Sequence, residues 1–451
     1  MGKSLLRRAL YQDESEAGLM LDALITILDE YKNQGLEYRL IERKKSRAES
    51  FYIKKSLEMN RGVDTDAIAL TVYKVFEEDG KSFRGSADAT IHPGMTREEI
   101  KNVIDEAFFA AGFVKNEMYP LEEKGAAPTG EFTSGIPALG VHKTMSKLRE
   151  AVYAQDKHDK GNISYSEFFV DQSGIRIINS NGVDVRYTAY SVDIELSVHW
   201  RDGGEVENFE AYKLADCDTA LIGGRVEKLF NIASQKPLAV PTPSVNDVNV
   251  LLTGECLNEF FNYYYENSNA SSIYTKISTF AVGDELQGEC AGDRFTLELD
   301  PFLPGSTGSR PYDNNGTPLK KVCVVKDGRL MQLWGDLRFS SYLNAPVTGN
   351  IENRVITGGS TPVSEMKTAP YLELISFSDF QMNSMTGDFA GEIRFGFYYD
   401  GTETVPVTGG SVSGNIKKVH GDMLLSAERA RYNNYDGPAT VLVKNVSIAG
   451  K

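Results

Sequence analysis

Lys236-Pro237-Leu238-Ala239-Val240-Pro241-Thr242-Pro243 places three prolines within seven residues. Such a run neither continues a helix nor joins the middle of a sheet, because proline lacks the backbone donor that both need. The stretch reads as a linker over 236–246. It divides the chain into an N-terminal α+β domain, 1–235, and a β-rich C-terminal domain, 247–451.

Upstream, helical and alternating patterns follow each other. Leu19, Leu21, Leu24, Ile25 and Leu28 recur at helical spacing before Gly35, which predicts an amphipathic opening helix. Glu37 to Ile91 then reads as an antiparallel meander with turns at Asn60-Arg61-Gly62 and Glu78-Asp79-Gly80. Thr96-Arg97-Glu98-Glu99 is a capping box opening a helix that Gly112 ends. A third helix is expected over 139–155. A second meander is expected over 163–200, with turns at Gln172-Ser173-Gly174 and Asn179-Ser180-Asn181-Gly182, and a fourth helix over 219–234.

Downstream, one short helix over 255–267 precedes a long run of strands, with a hairpin turn at Lys326-Asp327-Gly328. This predicts a mostly antiparallel sheet or distorted barrel. Leu257, Phe260, Phe261 and Tyr264 form the inward stripe of the helix, leaving Asn262, Tyr263, Tyr265 and Asn267 on other faces. Thr357-Gly358-Gly359-Ser360 resembles Thr408-Gly409-Gly410-Ser411, but two short loop matches establish no repeat.

The chain has 451 residues, 48 Lys and Arg against 63 Asp and Glu, and a formal charge of −15. That field repels nucleic-acid phosphates and anionic lipid. No apolar run is long enough for a signal sequence or a membrane span. Cys217, Cys256, Cys290 and Cys323 are far apart in sequence, as expected of reduced thiols in a cytoplasmic protein.

The motifs that carry chemistry are sparse. Asp156 to Glu167 mimics a calcium loop, but His158 and Lys160 occupy ligand positions, so a polar helix-to-strand loop is expected. Arg39, Arg43, Lys44, Lys45, Arg47, Lys54, Lys55 and Arg61 crowd one hairpin, and the expectation is that they guard a sheet edge. The five histidines, 92, 142, 158, 199 and 420, form no ligand pair. Glu255, Glu259 and Glu266 on the helix near 260 have no histidine or cysteine partner on their face and are read as solvated carboxylates.

Ser272-Ile273-Tyr274-Thr275-Lys276, Gly308 to Thr317, Thr348-Gly349-Asn350, Asn383 to Gly391, Pro406-Val407 with Ser413-Gly414-Asn415, and Val446 to Gly450 together resemble the TldD/PmbA family. That family was once labelled as modulators of DNA gyrase and is now regarded as a two-subunit metallopeptidase system. The resemblance implies two branches. The catalytic TldD-like branch carries H-E-x-x-x-H on the first helix of the C-terminal domain and a cysteine near the C-terminus. Carried across, those motif positions fall on Asn262, Tyr263 and Asn267, or, with a slip, on the stretch from Asn258-Glu259 to Tyr264. None is a histidine, and the last cysteine is Cys323.

The implied reading is the PmbA (TldE-like) branch. This chain would bind no cofactor and supply no catalytic residue, and zinc would sit in a catalytic TldD-like partner. Together they would cleave unfolded or extended peptides as a dimer in the cytoplasm, with a homodimer a further implied form. Two rival readings remain open: a peptidase active alone through a metal site rebuilt from Glu255, Glu259, Glu266 or Asp388, and a non-enzymatic gyrase modulator.

Overall fold

The computed structural model describes residues 16–128, 130, 133–245 and 248–451. The first 200 described residues build one six-stranded antiparallel sheet from β1 (Leu36–Ile53), β2 (Ser56–Glu78), β3 (Lys81–Ile91), β4 (Gly161–Asn179), β5 (Asp184–Arg201) and β6 (Glu205–Leu214). The strand order is β3-β2-β1-β4-β5-β6. Alternation along these strands puts Leu40, Leu70 and Val72 of one half and Phe168, Val170 and Ile194 of the other in the core. Helices Glu16–Glu30 and Arg97–Ala111 cover β1–β3, and Val141–Tyr153 and Thr219–Gln235 cover β4–β6.

The two halves of this arrangement follow the same order of elements. Each half runs helix, three-stranded meander, helix, and the halves meet where β1 pairs antiparallel with β4. β1 starts at Leu36 and β4 at Gly161, and the closing helices start at Arg97 and Thr219, so the unit recurs at about 120–125 residues. The two halves share a pattern of burial with little sequence likeness.

Three expectations change. Asn60-Arg61-Gly62 and Gln172-Ser173-Gly174 are not turns but lie inside β2 and β4, and the first hairpin turns at Lys54, whose φ is 53°. The basic hairpin guards no edge along β1, which is central. Its charges are matched within the sheet instead: Lys45 and Arg47 meet Asp171 at 2.7 and 2.6 Å, and Arg61 pairs with Glu49. Besides the terminal strands β3 and β6, the half of β2 before Ile68 is a free edge, because β3 pairs with β2 only from Ile68 onward.

The C-terminal region holds two sheets, of six and nine strands, joined around one large core. Pairing is mostly antiparallel, with parallel contacts between Asn249–Thr253 and Tyr371–Met382 and between Arg354–Thr357 and Tyr435–Pro438. In the expected linker, Val240–Pro241 adds a short parallel strand beside Thr404–Thr408. No helix among the described residues is long and apolar enough to cross a membrane.

The two regions are locked by the loop Gly308 to Thr317. Asp313 is fully buried, and its Oδ1 accepts from the N–H groups of Asn315 at 2.8 Å and Thr317 at 3.1 Å, while Oδ2 accepts from that of Asn350 at 3.3 Å. The turn so fixed presses Gly316, at φ 87°, onto Val183 and Ile177 of the N-terminal sheet. Arg39 donates to Asn315, Arg43 to Asn314 at 3.3 Å, and Thr317 to Glu122 at 2.8 Å. Two of the motif stretches, 308–317 and 348–350, thus serve domain docking.

Candidate functional site

The strand Asn249–Thr253 is apolar and buried at Val250, Leu251 and Leu252. It ends at Gly254, which has φ 97° and lies against the Ile375 carbonyl, where a Cβ would come within 3.3 Å. Only glycine takes both the angle and the approach easily. The chain then turns into two short helices, Cys256–Phe260 and Asn262–Asn267, broken at Phe261. Leu257, Phe260, Phe261, Tyr263, Tyr264 and Tyr265 are all buried. The expected stripe Leu257, Phe260, Phe261 and Tyr264 is fully buried as read; what changes is that Tyr263 and Tyr265, expected on other faces, are buried too, so the polar side narrows to Asn258, Glu259, Asn262 and Glu266.

Each proposed motif position has a structural partner or a buried setting. Asn267 Nδ2 donates to the carbonyls of Tyr263 at 2.8 Å and Ser384 at 2.6 Å. Tyr263 packs edge-on against Tyr264 and Phe280, and burial holds its phenol above the ordinary value, hence neutral. Asn262 Oδ1 is buried without a partner. His420 is engaged through Nδ1 with the Tyr264 hydroxyl at 2.8 Å, and burial lowers its pKa, which favours the neutral ring. The turn at Tyr432 to Tyr435 does not meet Asn262 or Asn267. It meets Asn258, whose Nδ2 donates to Asn434 Oδ1 at 3.0 Å.

Nor does the structure gather the four carboxylates of the rival metal site. Glu255 and Glu259 line a cleft between the domains, Glu266 sits near Arg354, and Asp388 accepts a hydrogen bond from Asn415 at 2.7 Å elsewhere. Among the described residues no three His, Cys, Asp or Glu side chains form a set that could hold a metal. The calcium-like loop reads as expected: Asp156 pairs with Lys55, and His158 packs on Trp200 and Phe230.

The cleft occupies about 410 Å³. Its N-terminal wall carries Glu210 and Tyr212 of β6 and Arg225 and Lys228 of the helix Thr219–Gln235. Its C-terminal wall carries Gly254 to Cys256, Glu259, Ile375 to Phe380 and Tyr432. Arg225 pins the walls together, donating from Nη2 to the Arg431 carbonyl at 2.7 Å while its guanidinium lies 5.5 Å from the ring centroids of both Tyr212 and Tyr432.

Burial and the facing Glu255 push the Glu210 carboxyl up to about 7, against the pull of Lys228, Arg225 and Lys236. Burial also raises Glu255, opposed by Arg225. The Cys256 thiol is pushed up to about 12 by burial. It stays protonated at neutral pH and is no nucleophile. Perturbed carboxyl groups in a cleft mark a candidate site, but without an activated nucleophile or metal set this arrangement suits binding and orientation.

A larger trough, about 690 Å³, lies where the motif stretches 383–391, 413–415 and 446–450 meet. Several of its polar groups are spent locally: Asn415 on Thr386 and Asp388, Asn383 on the N–H groups of Met385 and Thr386. Glu210, Tyr212, Arg225 and Lys228 were not foreseen from sequence, although the alternation of β6 places Glu210 on the inward face with Tyr212 and Leu214, opposite the exposed Glu205 and Glu207.

Residues 245–450 match the family described as the PmbA/TldA metallopeptidase C-terminal domain. An uncharacterized protein of Methanocaldococcus jannaschii is 23% identical over 262 residues, covering 53% of this chain and 59% of its own length. Metalloprotease PmbA of Escherichia coli O157:H7 is 22% identical over 297 residues, covering 63% and 64%. The matches span less than two thirds of these curated relatives. Among solved structures, TldE from Thermococcus kodakarensis superposes with a TM-score of 0.74 at 16% identity, over 97% of this chain and 100% of that one. A Thermotoga maritima protein, whose name assigns it provisionally to DNA-gyrase modulation, gives 0.76 at 16% identity, over 96% and 100%. The family these matches support is TldD/PmbA/TldE, and the α+β fold is the TldE-like one.

Proposed function

We propose that this member of the TldD/PmbA/TldE family is the metal-less, TldE-like subunit of a cytoplasmic peptidase system. It joins a catalytic TldD-like subunit that carries the zinc and acts on unfolded or extended peptides.

The observation that carries this reading is the donor set of the helix pair 256–267. A catalytic zinc takes about three protein ligands and leaves one position open for water. No histidine lies between His199 and His420, and His420 is engaged by Tyr264. The helices offer amides, phenols, carboxylates and one thiol, of which Glu255, Cys256 and Glu259 line the cleft, and burial keeps the Cys256 thiol protonated. Neutral amides and an all-oxygen set are poor ligands for hydrolytic zinc. The residues present do not fit the metal, so this chain's part is to bind, orient and present a surface to its partner.

The test is metal analysis and peptidase assay of the purified chain, alone and with a TldD-like subunit. Zinc is expected only when the partner is present, together with chelator-sensitive cleavage of unfolded substrate. One equivalent of tightly bound zinc in this chain, with cleavage by the chain alone, would overturn the proposal.

A further inference from the structure

The strand Tyr371–Met382 is paired on one side along its length by Asp388–Tyr399, with gaps at Ile375, Ser378 and Asp379, but on the other side only from Tyr371 to Leu374, where it meets Asn249 to Leu252. Gly254 then carries the neighbouring chain away into its helix. From Ile375 onward no strand among the described residues takes that second side, and Ile375 to Phe380 form one wall of the interdomain cleft. The open stretch is six residues, roughly 20 Å of strand. Its pairing with Asp388–Tyr399 shifts register between Leu374 and Phe380, and such irregularities re-aim a strand next to binding sites. An uncovered edge is a template for an added strand.

The walls around that edge select by charge. Four carboxylates, Glu210, Glu255, Glu259 and Asp379, face two cations, Arg225 and Lys228. Arg225 is already committed to Arg431 and to its two tyrosines. Among the described residues, Glu210, Glu255 and Glu259 have no side-chain hydrogen bond or close ion pair. Glu210 and Glu259 are half-buried, where an anion without a partner is costly and a guest cation lowers that cost, and Glu255 adds its charge at the rim.

We infer that the interdomain cleft binds an extended peptide bearing Lys or Arg, added as a strand to the edge Ile375 to Phe380, with its cations on Glu210, Glu255 and Glu259. The inference rests on the peptidase-subunit reading only in calling that peptide a substrate; binding itself requires no partner and no metal.

Labelled ten-residue peptides alternating lysine with threonine, or glutamate with threonine, test it by fluorescence anisotropy on the full chain at pH 8. The basic peptide should bind at least about tenfold more tightly than the acidic one, and more weakly at high salt. The triple variant Glu210→Gln, Glu255→Gln, Glu259→Gln should lose about tenfold in affinity for the basic peptide. Glu255→Gln alone, at the solvent-facing rim of the cleft, should lose a smaller part without disturbing the fold. A basic peptide N-methylated at alternate amides keeps its charge but cannot pair as a strand, and should not bind.

Equal binding of acidic and basic peptides, undiminished binding to the triple variant, equal binding of the N-methylated peptide, or no binding at millimolar concentration would each overturn the inference. All these outcomes are independent of the zinc assay, so failure here is distinct from failure of the subunit assignment.

Discussion

Arg225 lies between Tyr212 and Tyr432, its guanidinium carbon 5.5 Å from the centroid of each ring. Tyr212 belongs to the N-terminal sheet and Tyr432 to the C-terminal one, so a single planar cation bridges the domains at the mouth of the cleft. Cation–π contacts are worth about 0.5–2 kcal/mol each, depending on desolvation.

Arg225→Ala should therefore destabilise the protein by about 2 kcal/mol. It should also speed proteolysis of the segment 236–245, where Leu238 and Val240 are exposed. Arg225→Lys, which keeps the charge but not the plane, should recover only part of the loss. Thermal unfolding together with timed subtilisin digestion checks both outcomes. An unchanged digestion pattern would mean that the sandwich does not hold the domains together.

Glu210 supplies a pH signature. Its carboxyl is raised to about 7 in the folded protein, so the folded state keeps a proton that the unfolded state has lost. Stability from this group is accordingly full below the ordinary carboxylate value and declines as pH rises through the window up to about 7. Glu210→Gln should remove that decline, narrowing the loss of stability between pH 5 and pH 8 by about 1–2 kcal/mol. Urea titrations of both proteins at the two pH values measure it.

Asp313→Ala should be among the more damaging single changes, at about 3 kcal/mol. The buried carboxylate organises three backbone donors in the loop that docks on Val183 and Ile177. A melting temperature within a degree of wild type would contradict this.

Asn262→His, Tyr263→Glu, Asn267→His should bind zinc weakly, cleave no casein and melt earlier than wild type. Asn267 holds two carbonyls, and Tyr263 is packed among aromatic rings where a carboxylate would be buried unpaired. The imidazoles would also lack the outer partners that typically change metal affinity or activity by about 10–100-fold. Robust casein hydrolysis would show that the positions form a nearly intact site.

The local signals that survived in the structure are those with one physical meaning. The capping box at Thr96 and Glu99 is present as written, and Asp79 and Gly80 take the positive φ that a tight hairpin needs. Gly62 and Gly174 misled because glycine permits a turn without requiring one. Each is extended, paired with Ala48 and Lys44 of β1 respectively, and the long ladders on either side keep it so. The basic residues of β1 looked like edge guards because their counter-charges, Asp171 above all, come from a strand more than a hundred residues away.

The candidate site was legible only in its C-terminal half. Glu255 and Glu259 could be named from the helix they flank, whereas Glu210 and Arg225 acquire their roles from docking between domains, which no local pattern encodes. The aromatic run Tyr263-Tyr264-Tyr265 could not be split into inside and outside faces, because the two sheets leave it no outside.

The placement of β1 also sets a timetable for synthesis. One of its edges can zip onto β2 as soon as Glu78 has emerged, but the other waits for β4, which does not begin until Gly161. At about 5–20 residues per second, several seconds pass in which a long central strand is sticky on one flank. Until the second half arrives, the nascent polypeptide offers that flank to any neighbouring copy on the same message. This protein should therefore lean on holding chaperones most heavily within about the first third of translation.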